Sequence, residues 1–280
     1  MLHIEHLHFK YSRRGKTIFS DFNLQFESGK IYGLLGKNGT GKSTLLYLLT
    51  GLLRPQQGTV TYNGQSVTDR SPKLLQDLFL VPEEPYLPDL TMSAYKRTLA
   101  PFYPHFSDEI LHDCLSHFGL SDTVRFSKLS MGERKKMYVS FALAAQTRYL
   151  LMDEPTNGLD IPSKSIFRKV VSRHMTDERT LIISSHQVND IDMLLDHVVI
   201  LNESQLLLSR SIAEICDTLC FTERPVGVPT DDAIFSQPSI TGNALITLRQ
   251  DEEEETPLNL ELLFNGALAG SLPQSLLSNR

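Results

Sequence analysis

The sequence predicts an α/β fold with a mostly parallel sheet, and three observations lead to it. Short apolar runs alternate with amphipathic helical patterns along most of the chain. These runs are continuous rather than alternating, as expected for strands that are covered on both faces. One of them leads through a glycine-rich loop into a helical pattern, which is typical of a strand-to-helix turn in a parallel sheet.

The first element class is the core strands, for which the sequence offers five candidates. They are Lys30–Leu35, Leu78–Val81, Tyr149–Met152, Thr180–Ser184 and Val198–Leu201. Antiparallel strands are predicted before and between the first two. Leu2–Tyr11 is expected to pair with Phe19–Phe26, and Thr59–Val67 to form a hairpin that turns at Asn63-Gly64, a strong type I′ signal.

The region from about 85 to 145 has a helical pattern and is predicted to be a helical subdomain inserted into the α/β core. Ser107 is placed to cap a helix with an acidic first turn and an apolar stripe, and Gly119 is placed to end that helix.

The character of the chain changes after about Arg210. Two strands are predicted there, Asn243–Arg249 and Leu258–Phe264, and the acidic run Asp251–Glu255 between them is expected to form a solvated turn. We therefore divide the chain into a large domain, residues 1–210, and a small β-containing C-terminal appendage, residues 211–280.

Composition limits the functional class. The chain has 280 residues and a net charge of −6, which argues against a general nucleic-acid binder. We find no apolar run long enough to cross a bilayer and no secretory pattern at the first residues, so we expect a cytoplasmic protein. The three cysteines are scattered and are expected to be reduced and buried.

The glycine-rich loop has the full pattern of a P-loop, with a predicted strand before it and a helix after it. Its glycines allow backbone N–H groups to surround phosphate oxygens at a helix N-terminus. Lys42 would supply charge to the β- and γ-phosphates, and the Ser43 hydroxyl would bind Mg²⁺. A turn that binds nothing is the alternative. The loop reads Gly36-Lys37-Asn38-Gly39-Thr40-Gly41-Lys42-Ser43-Thr44.

A second motif is the apolar strand that starts at Tyr149 and ends in two carboxylates. Asp153 is placed to hold Mg²⁺ beside the P-loop, and Glu154 to act as general base on the attacking water. In isolation, two acidic residues at a strand end would be read as merely solvated. The P-loop makes the chemical reading the better one.

The order of the further motifs resembles that of ABC ATPases over residues 1–210. The signature of the family is resembled by Leu129-Ser130-Met131-Gly132-Glu133, and its Walker B motif and D-loop by the segment from Asp153 to Asp160. The switch histidine of the family is resembled by Ser184-Ser185-His186. Tyr11 stands at the position of the aromatic residue that stacks on adenine in the family.

This resemblance implies a dimer in which two subunits pack head to tail around ATP. The P-loop of one subunit and Ser130, Met131 and Gly132 of the other would enclose each nucleotide, with Asp160 nearby in the D-loop. His186 would bind the γ-phosphate. Two alternatives remain at this point: His186 could be a strand-end histidine satisfied by backbone, and Tyr11 a simple edge-strand aromatic.

Three residues depart from the family pattern. Met131 replaces the usual glycine and Glu133 the usual glutamine of the signature, and Glu83 stands where the family has a glutamine that binds Mg²⁺. A carboxylate is at least as good a Mg²⁺ ligand as an amide, so Glu83 is a candidate metal ligand; a solvated loop residue is the alternative.

The function implied is an ATP-binding and ATP-hydrolysing subunit that drives a membrane permease as a homodimer or heterodimer on the cytoplasmic face. Segments such as Val81–Pro85 and Pro101–Phe106 resemble ATPases of bacterial ABC-2-type exporters, which implies export. The alternatives are a soluble ABC ATPase acting on DNA or ribosomes, and a module that senses ATP without hydrolysing it. The former would be expected to carry a basic surface or paired domains, and the latter to lack Glu154. The transported substrate does not follow from the sequence.

Overall fold

The computed structural model describes residues 1–250 and 253–277, and we number the elements in chain order. The strands are β1 (Leu2–Lys10), β2 (Thr17–Phe26), β3 (Ile31–Leu35), β4 (Gln57–Tyr62), β5 (Gln65–Ser66), β6 (Leu78–Val81), β7 (Tyr149–Asp153), β8 (Thr180–Ser185), β9 (His197–Asn202), β10 (Gln205–Ser211), β11 (Leu219–Pro225), β12 (Phe235–Pro238) and β13 (Gly242–Leu248). The α-helices are α1 (Lys42–Leu49), α2 (Pro72–Asp77), α3 (Met92–Leu99), α4 (Asp108–Phe118), α5 (Met131–Ala144), α6 (Ile161–His174), α7 (Ile212–Thr218) and α8 (Leu260–Leu268).

The central sheet has the strand order β10-β9-β3-β8-β7-β6. Its strands run parallel except for β10, which is antiparallel to β9. Every residue of β7 and β8 is buried, because helices cover both faces of the sheet. The five apolar runs predicted as core strands all lie in this sheet, with ends within one residue of those observed. The predicted α/β fold is confirmed.

The predicted antiparallel strands form a separate sheet with the order β2-β1-β4-β5. β1 pairs with β2 as expected. The β4–β5 hairpin turns at Asn63 and Gly64, whose φ angles of 48° and 79° are both in the left-handed region that a type I′ turn requires. This prediction is confirmed.

The region from 85 to 145 contains α3, α4 and α5. Ser107 caps α4 by accepting a hydrogen bond from the Ile110 amide, and the helix ends at Gly119, where φ is 66°. α4 packs against α5 and α6 through its apolar side. Both predicted helix ends are therefore confirmed.

The C-terminal segment contains a 3-stranded sheet with the order β11-β13-β12, in which β13 matches the predicted strand Asn243–Arg249. The predicted strand Leu258–Phe264 is wrong, since these residues lead into helix α8. Asn259 caps that helix on the Leu262 amide, and the apolar residues bury a helical face against β13 and the central sheet. Of the acidic run, Asp251 and Glu252 lie outside the described residues, and the remaining three glutamates are exposed.

Helix α8 joins the C-terminal segment to the central sheet. It packs against β9, β10 and the turn Val188–Asp190, and its leucines belong to the same buried cluster as the core strands. All three cysteines are free and buried, as predicted. Within residues 1–250 and 253–277, no helix has the length and apolarity that a membrane span requires.

Candidate functional site

The P-loop connects β3 to α1 in the way the sequence predicts. A Cβ atom on Gly36 would lie 2.6 Å from the Thr40 hydroxyl oxygen and 2.8 Å from the Leu201 carbonyl oxygen, so a side chain does not fit there. Gly41 starts α1 with a φ of 104°, a conformation that L-residues rarely adopt. The loop therefore curls tightly onto the N-terminus of α1, where backbone N–H groups attract anions.

The side chain of Lys42 is buried and turns back into the loop. Its Nζ donates to the Gly36 carbonyl oxygen at 2.8 Å and lies 3.4 Å from Oε1 of Glu154. Both side chains of this ion pair are at most 7% exposed. A cation is thus held at the base of the loop, facing the end of β7.

The carboxylates at the end of β7 have different surroundings. Asp153 is 1% exposed and accepts a 2.6 Å hydrogen bond from the Ser184 hydroxyl, because β7 and β8 pair in register at these two residues. Glu154 follows with a φ of 45°, and its amide donates to the Ser184 carbonyl and hydroxyl oxygens.

His186, just after β8, completes the cluster of polar side chains. Its Nδ1 lies 2.9 Å from Oε2 of Glu154, and its amide donates to the same oxygen at 3.3 Å. The Glu154 carboxylate therefore lies between Lys42 on one oxygen and His186 on the other. The imidazole of His186 is therefore bound to a side chain across the site.

These residues open onto a pocket of about 450 Å³. Its wall contains most of the predicted nucleotide-binding residues, together with two that we did not predict, Ile18 and Asn157. The predicted ones are Tyr11, Asn38, Gly39, Gly41, Lys42, Ser43, Thr44, Glu83, Glu154 and His186. Asp153 is buried next to this pocket, and Gly36, Lys37 and Thr40 form the turn that supports its wall.

Tyr11 stands at the mouth of the pocket. The residue is 62% exposed, and its hydroxyl lies 2.9 Å from the Thr44 hydroxyl. The ring also packs edge-on against Phe9, with centroids 5.1 Å apart. An exposed aromatic face beside the P-loop is suited to stacking on a base.

The residues predicted to bind Mg²⁺ lie around the pocket. Ser43 and Glu83 line it, and the Glu83 carboxylate accepts a 2.8 Å hydrogen bond from the Asn157 amide. Within the described parts of the chain, no group of three or more His, Cys, Asp or Glu side chains is arranged to hold a metal ion. Oxygen donors that are few and of this kind fit an ion that takes its other ligands from phosphate and water.

The signature residues and Asp160 do not belong to this pocket. Ser130 caps α5, and its hydroxyl donates to Glu133 Oε2 at 2.7 Å while it accepts from the Glu133 amide. That bond lowers the pKa of Glu133. Met131 is exposed, and Asp160 caps α6 on the Ser163 amide. Among the residues that the structure describes, the pocket wall includes none of Ser130, Met131, Gly132 and Asp160.

Lys135 is a further charged residue near the site that the sequence analysis missed. It is 2% exposed, and its Nζ donates to the carbonyl oxygens of Glu154 and Asn157. A signal was available, because Lys135 shares a helical face with the apolar Val139 and Ala142, at the spacing of a buried stripe. A lysine in such a stripe requires partners.

Comparison with known proteins places the chain in a family. The model of the ABC transporter family matches residues 19–157. A putative ABC transporter ATP-binding protein of Listeria monocytogenes is 30% identical over 238 residues, which cover 77% of this chain and 84% of the relative. The ABC transporter ATP-binding protein YtrB of Bacillus subtilis is 24% identical over 277 residues, 91% of this chain and 94% of YtrB.

The fold agrees with these sequence matches. A solved ATP-binding subunit of an ABC transporter superposes with a TM-score of 0.69, at 22% identity, over 77% of this chain and 91% of that one. The central sheet and its helices thus have the fold of a known ATP-binding subunit. The chain belongs to the family of ABC transporter ATP-binding proteins and is an ATP hydrolase.

Proposed function

We propose that this protein is the motor subunit of an ABC exporter, which binds ATP with Mg²⁺, dimerises around it and passes the energy of hydrolysis to a membrane permease. The observation that carries the proposal is the convergence of Lys42, Glu154 and His186 in one pocket at the P-loop. A cation, a carboxylate and an imidazole at that place are the groups that phosphoryl transfer to water requires.

Each of these side chains would change its partner when ATP enters. Lys42, now paired with Glu154, would move its charge to the β- and γ-phosphates, which releases the carboxylate. Glu154 would then accept a proton from the attacking water, and His186 would orient that water and the γ-phosphate. Ser43, Asp153 and Glu83 would hold Mg²⁺ directly or through water, and the ion would neutralise phosphate charge.

The position of the signature supports a head-to-tail dimer. Ser130, Met131 and Gly132 lie at the start of α5 on a surface outside the pocket, so they do not line the P-loop site within the described part of one chain. In a second copy, or in a related subunit, the same surface would close the pocket, with its helix N-terminus directed at the γ-phosphate. Asp160, on the adjoining segment, would lie at the same interface.

The permease, the membrane face and the direction of transport are inferred from kinship and sequence. ABC transporter ATP-binding proteins serve transporters, and we infer a cytoplasmic location against a permease. Export is supported by the segments Val81–Pro85 and Pro101–Phe106. We also propose that residues 1–210 carry all nucleotide chemistry and that residues 211–280 form an appendage.

A mixing experiment tests the shared site. Lys42→Ala disables the P-loop and Ser130→Arg disables the signature, so a dimer of the two variants has one intact composite site. Each variant must first be inactive alone and able to dimerise. We expect mixing to restore part of the ATPase activity. Full activity of the Ser130→Arg protein by itself would contradict the arrangement.

A further inference from the structure

Lys135 lies at the junction of three functional segments. It is in the first turns of α5, the helix that begins at the signature, and its Nζ donates to the Glu154 carbonyl oxygen at 3.0 Å and to the Asn157 carbonyl oxygen at 2.8 Å. Glu154 directly follows strand β7, and Asn157 lies in the loop after it. One ammonium group therefore joins α5 to both.

A charged group buried to this extent is retained only where its surroundings compensate it. Burial lowers the pKa of Lys135, and the nearby carboxylates of Glu83, Glu154 and Asp153 oppose that effect. An apolar side chain would pack at this position on α5 without that cost, since its neighbours on the same face are apolar. The buried ammonium group therefore serves to hold the main chain of Glu154 and Asn157 in place.

The main chain of Glu154 shows what is held. Its φ of 45° is rare for a residue with a side chain and persists only where contacts over-determine it. The Glu154 amide donates to the Ser184 carbonyl at 3.2 Å and hydroxyl at 3.0 Å, and its carbonyl accepts from Lys135. The two peptide groups on either side of the Glu154 side chain are therefore both held by hydrogen bonds, one to a residue of β8 and the other to a residue of α5.

We propose that Lys135 is a positioning residue that aims the Glu154 carboxylate and makes its aim depend on the placement of the signature helix. This inference rests on the proposed function. In the proposed dimer, the start of α5 reaches the nucleotide of the partner, while Glu154 acts on the nucleotide of its own chain. Lys135 then links the base of one composite site to the helix that closes the other.

The first test compares Lys135→Met with Arg179→Met, a variant that removes a different buried cation, both in the full-length protein. Arg179 is 5% exposed and also donates to main-chain carbonyls, those of Leu143, Thr147 and His174, but at the opposite ends of α5 and α6. We expect Lys135→Met to lower kcat by ~10²-fold, as for a displaced catalytic group, with KM for ATP changed by less than about two-fold.

Two further variants, Arg179→Met and Lys135→Arg, distinguish a role in positioning Glu154 from a general role in stability. Arg179→Met should lower the melting temperature yet leave kcat per folded molecule within about two-fold of wild type. Lys135→Arg keeps the charge and several donors, so it should recover most of kcat. An unchanged kcat in folded Lys135→Met, or an equal loss in Arg179→Met, would overturn the proposal.

The mixed dimer tests in which chain Lys135 acts. With one intact site, the active Glu154 belongs to the Ser130→Arg copy, and the working signature belongs to the Lys42→Ala copy. Adding Lys135→Met to the Ser130→Arg copy should abolish the restored activity, whereas adding it to the Lys42→Ala copy should not. Equal loss from either copy would show that Lys135 does not act through its own Glu154.

The two proposals fail in different ways. Full activity of the Ser130→Arg protein by itself would show that the shared site is wrong, whereas an inactive mixture would show that a single composite site does not turn over. The kcat and KM of the Lys135→Met protein alone then still decide whether Lys135 positions Glu154.

Discussion

Two regions of the molecule differ in the kind of residue that they bury: the pocket at the carboxyl ends of β3 and β7, and the C-terminal segment after Arg210. Around the pocket, several charged groups are buried: Lys42, Asp153, Glu154 and Lys135 are each at most 6% exposed. In the C-terminal segment the buried groups are almost all apolar, and the leucines of α8 pack on the central sheet. Buried charges need specific partners and give chemistry, whereas buried leucines give stability. Substitutions in the two regions should therefore change different observables.

The largest effect is expected from Glu154→Gln. A glutamine retains the shape but cannot accept the proton of water, so kcat should fall ~10²–10⁴-fold, the range for a general base. ATP binding should persist, and the variant should accumulate as an ATP-bound dimer, measurable by gel filtration. Glu84→Gln, an exposed carboxylate in the loop after β6, is the control and should retain activity. Wild-type turnover by Glu154→Gln would remove the assigned base.

The opposite behaviour is expected of Leu263→Ala on α8. Leu263 is fully buried, so its truncation should lower the free energy of unfolding by about 2–5 kcal/mol. ATP affinity and kcat of the folded variant should remain at wild-type values. Exposed Glu261→Ala should cost at most about 0.5 kcal/mol, and urea unfolding measures both.

A truncation after Arg210 extends the same test. Every nucleotide motif precedes Arg210, so a fragment that remains folded should still bind ATP, although loss of α8 exposes apolar surface of β9 and β10. Loss of ATP binding by a folded fragment would show that the C-terminal segment belongs to the site.

A moderate effect is expected at the signature. The Glu133 carboxylate accepts the hydrogen bond of the Ser130 hydroxyl, which would otherwise be donated to the γ-phosphate of the nucleotide bound to the partner. Hydrogen bonds to charged groups are stronger than neutral ones by about 1 kcal/mol. Glu133→Gln should therefore lower the ATP concentration for half-maximal dimerisation by about five-fold. A higher concentration would mean that Glu133 assists closure instead.

The smallest effect is expected at Glu83, where a metal role and a solvated loop residue are distinguished by Mg²⁺ dependence. If Glu83 binds the metal directly, Glu83→Ala loses one oxygen ligand and should require several times more Mg²⁺ than wild type for half-maximal ATPase activity. Glu83→Gln keeps an oxygen donor and should raise the required Mg²⁺ concentration by a smaller factor. Because Glu83 also accepts from Asn157, Asn157→Ala is the control for loss of that bond alone. Identical Mg²⁺ curves for wild type and both Glu83 variants would exclude the metal role.

The contrast between the regions also shows where sequence reasoning succeeds. The core strands and the helix ends at Ser107 and Gly119 were predicted because continuous apolar runs and capping residues act over a few neighbouring positions. The P-loop and the Asp153-Glu154 pair were found for the same reason, since each motif carries its chemistry within one short segment.

Where local signals conflict, the pattern alone misleads. Residues 258–264 alternate between apolar and polar side chains at first, which suggests a strand, but Asn259 caps a helix and the later residues bury a helical face. The outcome was decided by packing against β13 and the central sheet, because tertiary contacts outweigh the propensity of a short segment.

The amino-acid sequence was enough to predict the fold class, the phosphate loop and the charged residues Lys42, Asp153 and Glu154, since each of these is encoded in a short contiguous pattern. The partners of these side chains follow from the three-dimensional arrangement. The contact of Lys42 with Glu154, of His186 with Glu154 and of Lys135 with two carbonyl groups joins segments that are 19 or more positions apart. Such contacts depend on how β3, β7, β8 and α5 are brought together, and a buried charge takes its role from the groups that surround it.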